Sequence, residues 1–252
     1  TNPRDTMSRC RSGSTTDVTF TVAGTPYACK YRLDGAVSGG SDGNTFLFQL
    51  NSTANMMEPE YAAFDATSAT CVVTLQENNA VAVIDMTLPT PAIRAVNGVF
   101  GLGQVNVANA DTVNGAAGTP ASFKDLLQRE REPDGISLTT IDGVAVFLTA
   151  DEGDTFAVAP TDSSNSRTKG GRTISVFRLS DGALLGDTGN QVDAVANAAG
   201  RWGAFVESSR ARRGGSEPEG VETIALDGRV LAVVGLERAN AIELLDVTDA
   251  SK

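Results

Sequence analysis

The sequence predicts an all-β fold, a β-propeller-like array of antiparallel meanders with one or two short helices. Composition is the first reason. The 252 residues include 26 glycines, 41% hydrophobic residues and only 6% aromatic residues, a balance typical of strands joined by turns. Repetition is the second reason, because a strand-rich unit introduced by a Glu-Pro-acid corner occurs three times. Such repetition is the sequence signature of propellers and related arrays.

The third copy, from Glu217 to Val247, displays the unit most completely. Its corner, Glu217-Pro218-Glu219-Gly220, presents two carboxylates from a turn, because proline fixes φ. Asp227-Gly228 is a strong hairpin-turn signal between two apolar runs. Glu237 follows the second of these runs, so acids lie at the ends of the meander. Three strands are predicted here: Val221 to Leu226, Val230 to Val234 and Ala241 to Val247.

The two upstream copies follow the same frame. The first begins at Glu58-Pro59-Glu60 and the second at Glu132-Pro133-Asp134-Gly135, with a hairpin turn at Asp142-Gly143. In each copy the corner precedes a further acid by about twenty residues, which is the length of one three-strand span. Their predicted strands include Cys71 to Val73, Ala80 to Asp85 and Val144 to Leu148.

The repeated carboxylates are the candidate site. Strand ends in a propeller gather around one mouth of the central channel, so acids at one position of each unit converge there. Crowded carboxylates repel one another unless a cation neutralises them, and Ca²⁺ accepts about six to eight oxygen ligands in flexible geometry. The candidate metal ligands are Glu58, Glu60, Glu77, Glu132, Asp134, Glu152, Asp154, Glu217, Glu219 and Glu237.

A purely structural role for these acids is the alternative. Each Glu-Pro corner can accept hydrogen bonds from backbone amides at the start of its unit. Glu237 can also pair with Arg238 or Arg229 in a solvated network. The densest acidic group, Asp151-Glu152-Gly153-Asp154, is the first ligand set to test.

Charge and composition exclude several function classes. The net charge of −11 argues against a nucleic-acid partner, because phosphates require a basic face. The chain has no histidine, which removes Ser-His-Asp and Cys-His catalysis and histidine-ligated zinc. No stretch approaches the roughly 20 apolar residues of a transmembrane helix.

The three cysteines allow one disulfide bridge. We predict that Cys10 pairs with Cys29 and that Cys71, which lies in an apolar run, is a buried thiol. An odd cysteine count also permits a bond to another chain. Asn51-Ser52-Thr53 is a glycosylation sequon, with Asn51 as the acceptor.

Outside the repeats, the pattern predicts a few further elements. Val18 to Val22 and Tyr27 to Tyr31 alternate around an Ala23-Gly24-Thr25-Pro26 turn, which predicts a hairpin. Two short helices are predicted, at Ser122 to Arg131 and Gln191 to Ala199. Residues 1–50 form an N-terminal arm with hairpin strands that could supply a first blade, and residues 51–252 form the repeat region.

Several of these motifs resemble the choice-of-anchor I family. They are the run VTLQENNAVAVID at Val73 to Asp85, ADEGD at Ala150 to Asp154, the Glu-Pro-acid corners, and EPEGVETIALDGRVLAVVGLER ending at Arg238. The resemblance covers roughly Met56 to Val247. The family includes mesenchyme-specific cell-surface glycoproteins and secreted bacterial proteins labelled alkaline phosphatase or phytase-like. The resemblance implies a secreted or surface-anchored β-propeller.

Two functions follow as hypotheses. The first is a secreted or cell-surface module without enzymatic activity, stabilised by Ca²⁺, with a structural, adhesion or assembly role. Its partners would be other extracellular chains or further copies of itself, and three units are few for a closed ring. The alternative is a metal-dependent phosphoester hydrolase, in which Arg210, Arg212 and Arg213 contact phosphate. That basic segment could equally be a flexible loop or a cleavage site.

Overall fold

The computed structural model describes residues 18–22, 25–29, 45–46, 59–94, 98–111, 123–153, 171–201 and 214–250. Among the described residues before position 59, three short strands are present. β1 and β2 form an antiparallel pair, which confirms the predicted hairpin, although Thr25 and Pro26, predicted in its turn, begin β2 instead. β3 runs parallel to β2. The bounds are β1 (Val18–Val22), β2 (Thr25–Cys29) and β3 (Thr45–Phe46).

Three antiparallel sheets, one for each Glu-Pro copy, form most of the described chain. Sheet 1 contains β4 (Pro59–Phe64), β5 (Thr70–Leu75), β6 (Ala80–Asp85), β7 (Ala92–Ile93) and β8 (Val99–Gly101). Between sheets 1 and 2 the chain forms a ribbon of β9 (Gln104–Asp111) and β10 (Phe123–Glu130). Sheet 2 contains β11 (Pro133–Ile141), β12 (Val144–Asp151), β13 (Thr173–Arg178) and β14 (Leu184–Asp187). Sheet 3 contains β15 (Pro218–Leu226), β16 (Arg229–Leu236) and β17 (Ala241–Asp246).

The Asp-Gly turns form the predicted hairpins. Asp142 and Gly143 have φ of 48° and 77°, and Asp227 and Gly228 have φ of 50° and 77°. Positive φ at both central residues is the type I′ geometry, whose twist matches that of the flanking strands. The turns therefore set the register of β11 on β12 and of β15 on β16.

The same β-bulge recurs at the start of each sheet. The proline of the corner begins the first strand, and three residues of that strand then span two residues of its partner. The prolines pair as Pro59 with Leu75, Pro133 with Asp151 and Pro218 with Leu236, and the next pairs are Ala62 with Val73, Ile136 with Thr149 and Val221 with Val234. The acid that follows each proline therefore lies in a bulge.

The sheets pack on one another through apolar faces. We call the face that a sheet turns to the following sheet its outgoing face, and the opposite face its incoming face. Between sheets 1 and 2 lie Val72, Val81 and Val83 from the outgoing face and Ile136, Phe147 and Phe177 from the incoming face. Between sheets 2 and 3 lie Leu148, Ile174 and Val176 together with Val221, Ala232 and Val234. Sheet 2 is therefore buried on both faces, one against sheet 1 and the other against sheet 3.

One predicted helix is confirmed and the other is wrong. The helix α1 (Gln191–Ala198) buries Val192 and Ala196 in the core between sheets 2 and 3. The segment predicted as a helix from Ser122 to Arg131 instead forms β10, paired with β9 at several positions with irregular register. Helix propensity is a weak preference, and the neighbouring strand β9 satisfies the backbone of this segment in an extended conformation.

Two further observations concern burial. Cys71 is a free, buried thiol, as predicted, and burial raises its pKa. In the part of the chain described, no helix is long and apolar enough to cross a membrane.

A buried arginine joins the ribbon to sheet 2. Arg131 is 1% exposed, and its guanidinium lies 2.8 Å from a carboxylate oxygen of Asp187 and 3.5 Å from one of Asp151. It also donates to the Ser175 hydroxyl and to the main-chain oxygen of Leu102. Burial raises the pKa of Asp151, while Arg131 and three hydroxyl donors act against that shift. This network holds the charges of Arg131 and Asp151 away from solvent.

Removing the cation of this network should be costly. Arg131→Met leaves Asp151 buried without its charge partner, so we expect a loss of about 3 to 5 kcal/mol in the free energy of unfolding. Urea denaturation measures it. The matched control is Arg178→Met, whose pair with Asp181 is exposed to solvent and should contribute less than about 1 kcal/mol. Similar losses in both variants would contradict this account.

The bulges of sheets 2 and 3 provide a second, internally matched test. A Cβ added at Gly135 would overlap the main-chain oxygen of Glu219, whereas one at the equivalent Gly220 meets no atom within 4 Å. We expect Gly135→Ala to destabilise by about 1 to 3 kcal/mol, because two backbones must separate. Gly220→Ala should change stability by less than about 1 kcal/mol. Equal effects in urea denaturation would contradict the close packing of these bulges.

Candidate carboxylate site

The first strands of the three sheets bring the bulges together. β11 lies between β4 and β15 and contacts both. The Thr74 hydroxyl donates to the main-chain oxygen of Asp134 at 2.8 Å, which ties the end of sheet 1 to the bulge of sheet 2. Gly135 in turn packs against the main chain of Glu219. The bulge acids Glu60, Asp134 and Glu219 therefore gather at one end of the three sheets.

A second group of polar residues follows the second strand of each sheet. The positions after the proline-paired residues are Gln76, Glu152 and Glu237. The Gln76 amide donates to a carboxylate oxygen of Glu152 at 2.8 Å. Sequence reasoning chose Glu77 in the first copy, but Gln76 is the residue equivalent to Glu152 and Glu237. Aligning the copies on the proline pairing would have found it.

Asp134 is at the centre of this group. It is 8% exposed, and burial raises the pKa of its carboxyl to about 7. The negative charges of Glu152, Glu60, Glu77 and Glu237 raise that pKa further, in this order of importance. The acids predicted to converge therefore interact electrostatically across all three sheets.

Glu219 has the same environment. Burial raises the pKa of its carboxyl to about 7, and the charge of Glu237 and a hydrogen bond with it add to the shift. The phenol of Tyr61 also has a raised pKa, because Asp134 is close to it and because it is partly buried. We call the set Glu60, Glu77, Asp134, Glu152, Glu219 and Glu237 the carboxylate cluster.

Arg238 supplies positive charge at the edge of the cluster. Its guanidinium lies 2.9 Å from Glu237 and 2.8 Å from Glu217. The pairing of Glu237 with Arg238, one of the two alternatives left by the sequence, is therefore present, whereas Arg229 lies 3.7 Å from Asp246. Glu237 is thus partly neutralised by its neighbour in the chain.

The acid that precedes each proline has a different environment. Glu132 and Glu217 are fully buried and have φ of 48° and 50°. The amides of Arg131 and Glu132 both donate to the Asn79 side-chain oxygen, and Glu217 is paired with Arg238. In none of these contacts does a corner carboxylate accept a hydrogen bond from a backbone amide, so that structural role stays a prediction. Neither acid is among the charges that raise the pKa of Asp134 or Glu219.

A buried carboxyl outside the cluster escaped sequence reasoning. Glu243 on β17 is 6% exposed, and neither of its carboxylate oxygens has a hydrogen-bond partner. Burial raises its pKa to about 7, and the charge of Asp193 adds to the shift. Asp193 itself pairs with the buried Arg172 at 3.0 Å. The alternation of β17 gave no signal, because Glu243 occupies an inward position between two exposed apolar residues.

The remaining predicted site residues lie outside the described part of the chain. They are Glu58 and Asp154 of the metal set, the sequon Asn51, Cys10 of the proposed bridge, and Arg210, Arg212 and Arg213. The backbone of Cys29 is in β2, but its side chain is not described. Within the described ranges, no group of three or more aspartate, glutamate or cysteine side chains is arranged to hold a metal ion.

Fold and site define a class: an all-β chain of repeated antiparallel sheets that gathers carboxylates at one end. A model of the choice-of-anchor I domain matches residues 30–169 and 159–250. The chain belongs to the choice-of-anchor I family, and it is a domain associated with the cell surface. No curated protein matches the chain.

The cluster predicts a specific pH dependence. The folded-state pKa values of Asp134 and Glu219, about 7, exceed their unfolded values of about 4, so the folded chain binds more protons between these limits. With a chelator present, the free energy of unfolding should be highest near pH 4 to 5 and fall as pH rises through 7. Asp134→Asn should remove about 1 kcal/mol or more of that fall. Chemical denaturation at pH 5 and pH 8 measures it.

Glu243→Gln provides a comparison for Asp134→Asn, because both variants replace a buried carboxyl with a raised pKa. Glu243 is not among the charges that act on Asp134, so its contribution to the pH dependence should add to that of Asp134. A double variant should therefore lose both contributions. A wild-type chain whose stability is flat or rises from pH 5 to pH 8 would contradict the raised pKa values.

Proposed function

We propose that the chain is a non-enzymatic β-propeller module of the cell surface or the extracellular space, with a structural, adhesion or assembly role, and that its carboxylate cluster binds Ca²⁺. One observation carries the proposal: acids from all three sheets interact at one end, and two of them have pKa values raised to about 7. A surface exposed to millimolar calcium is where such a cluster can be neutralised by a cation.

The propeller arrangement is supported by the way the sheets repeat. Each is an antiparallel meander, the first strands β4, β11 and β15 are neighbours, and the packing of sheet 1 on sheet 2 uses the same strand positions as that of sheet 2 on sheet 3. Sheets that pack face to face with their first strands at a common axis are the units of a propeller. In that arrangement the carboxylate cluster would lie at one mouth of the channel.

Calcium is the cation that the chemistry of the cluster favours. Carboxylate and amide oxygens are its preferred ligands, and its coordination tolerates irregular geometry. Histidine is absent from the chain, and the described cysteine, Cys71, is buried in sheet 1. Because the side chains are not arranged for coordination as they stand, binding would require Glu152, Glu219 or Glu237 to change rotamer. Such rotations are available to partly exposed glutamates.

The hydrolase alternative has less support from the described residues. The arginines assigned to phosphate lie outside the described ranges, and Arg238, at the edge of the cluster, is engaged by two carboxylates. A phosphate would also meet the repulsion of at least four nearby acids. A site for a cation therefore fits the electrostatics better than a site for an anion.

Thermal unfolding tests the calcium proposal. With calcium at about a hundred times its dissociation constant, a single site adds roughly 2.7 kcal/mol, which is several degrees in Tm for a chain of this size. We expect the Tm in millimolar Ca²⁺ to exceed that in chelator at pH 8. Glu152→Gln should abolish most of this shift, because it removes a ligand and a charge from the centre of the cluster.

Two controls separate a site from general charge screening. Glu222→Gln removes one exposed carboxylate of sheet 3 outside the cluster and should retain the full shift. Sodium chloride at matched ionic strength should reproduce only a small part of it. A chain whose Tm is the same in calcium and in chelator would overturn the cation proposal and leave the acids with structural roles.

A further inference from the structure

Arg238 brings a positive charge to the carboxylate cluster from the chain itself. One nitrogen of its guanidinium, Nη2, lies 2.9 Å from a carboxylate oxygen of Glu237, and Nε lies 2.8 Å from one of Glu217. Burial lowers the pKa of Arg238, but the hydrogen bond and charge of Glu217, and then the charges of Glu237 and Glu219, raise it above its usual value. The side chain is therefore a permanent cation beside the cluster.

Glu217 holds the guanidinium in place, whereas Glu237 lies at the surface. The Glu217 side chain is fully buried, and the side chain of Glu237 is 36% exposed. The main-chain N–H of Arg238 donates to the main-chain oxygen of Ser216 at 3.1 Å, which fixes the backbone at this point. A buried carboxylate that loses its cation is strongly destabilising, so the guanidinium stays on Glu217. Glu237 is the partner that can rotate away.

The repeat does not require a cation at the position of Arg238. The equivalent residues, two positions after the residue paired with the corner proline, are Glu77 in sheet 1 and Gly153 in sheet 2. Sheet 1 thus has an acid there, whose charge acts on Asp134, and sheet 2 has no side chain. An arginine at this position is therefore specific to sheet 3, and its effect is on the charge of the cluster.

A bound cation and Arg238 would compete for Glu237. While Glu237 is paired, part of its charge is neutralised, and the guanidinium also repels a divalent cation. The acid at the centre of the cluster differs in this respect. Asp134 is 8% exposed, and among the residues that the structure describes no hydrogen bond or ion pair engages its carboxyl. A cation drawn to Asp134 gains the charge of Glu237 only if Glu237 turns away from Arg238.

We propose that Arg238 competes with calcium for Glu237: in the cation-free chain the guanidinium pairs with this acid, and Ca²⁺ binding transfers Glu237 from the guanidinium to the cation. This inference rests on the calcium site proposed above and assigns to Arg238 the control of its affinity. Affinity is lowered because the ion pair must break and because the positive charge remains close by on Glu217. A weakened site suits the extracellular space, where calcium-binding modules have dissociation constants of roughly 0.1 to 1 mM.

Calorimetric titration with CaCl₂ at pH 8 tests this proposal. The main variant combines Arg238→Gln with Glu217→Gln, which removes the pair without leaving a buried charge or changing the net charge. We expect it to bind Ca²⁺ about tenfold more tightly than the wild-type chain, because Glu237 is released and a nearby positive charge is removed. The matched control combines Arg229→Gln with Asp246→Asn, an exposed pair of sheet 3 at 3.7 Å. It should keep the dissociation constant within about twofold of the wild-type value.

Arg238→Lys is a second variant, which keeps the positive charge. An ammonium lacks the planar fork with which a guanidinium contacts two carboxylates, so the contact with Glu237 weakens while Glu217 retains a cation. We expect about a threefold gain in calcium affinity, less than in the double variant. This variant alone provides the test if circular dichroism shows that the double variant is unfolded.

The possible outcomes separate this proposal from the calcium site itself. Wild-type affinity in both variants would overturn the role of Arg238 and leave the calcium site standing. Weaker binding by the variants would also overturn it, because Arg238 would then hold Glu237 in place as a ligand. Absence of calcium binding in the wild-type chain and in the variants would reject both proposals. Binding by the variants alone would support the competition and contradict a calcium site in the wild-type chain.

Discussion

The close approach of the three bulges is the constraint on which the rest of the structure depends. Gly135 packs on the main chain of Glu219, so β11 and β15 meet backbone to backbone. The Thr74 hydroxyl on β5 donates to the main-chain oxygen of Asp134 and ties sheet 1 to the same place. A side chain does not fit at Gly135 without separating them. Each bulge adds one residue beside a proline that has no N–H to pair, which lets the strand bend there. The position of the acids follows from this contact.

The apolar cores maintain this arrangement against charge repulsion. Gathering acids from three sheets raises the pKa of Asp134 and Glu219 and therefore opposes folding near neutral pH. Phe147 and Phe177, stacked with ring centroids 5.1 Å apart, join sheet 2 to the valines of sheet 1. Fully buried side chains of this size contribute roughly 2 kcal/mol each, so a few such contacts offset the repulsion. The cluster is thus a strained feature on a well-packed scaffold.

The sequence was sufficient for those features that local patterns encode. The alternating and apolar runs predicted β5 and β6 of sheet 1, β12 of sheet 2 and all three strands of sheet 3. The two Asp-Gly turns predicted the hairpins of sheets 2 and 3, because a type I′ turn fixes the register of both neighbours. Repetition of the corners predicted that acids would converge. The sequence-based prediction was wrong where pairing with a neighbouring strand determines the conformation. Residues 123–130 have a helical pattern but form a strand that pairs with β9. Gln76 was missed because the first hairpin is shorter: Leu75 follows its partner Pro59 by 16 residues, whereas Asp151 and Leu236 follow Pro133 and Pro218 by 18.

Buried charges were beyond sequence reasoning for a different reason. Arg131 follows a run of charged residues and resembles an exposed side chain, yet it is fully enclosed by Asp151, Asp187 and Ser175. In sheets 1 and 3 the residue paired with the corner proline is leucine, whereas in sheet 2 it is Asp151. Only the structure shows that Asp151, which stands where the other sheets have leucine, is paired with Arg131. The carboxylate oxygens of Glu243 have no hydrogen-bond partner, so no neighbouring residue in the sequence indicated that this side chain is buried.

Protons and cations each reduce the repulsion between the acids of the carboxylate cluster. Below about pH 7, Asp134 and Glu219 retain protons in the folded chain, which removes two of the six negative charges without any ligand. Above that pH both carboxyls ionise, and the restored negative charge attracts a divalent cation more strongly. Cation binding must release these protons, so affinity and pH are linked in both directions. A module of this kind would be most dependent on its cation under mildly alkaline conditions and least dependent on it in acidic ones.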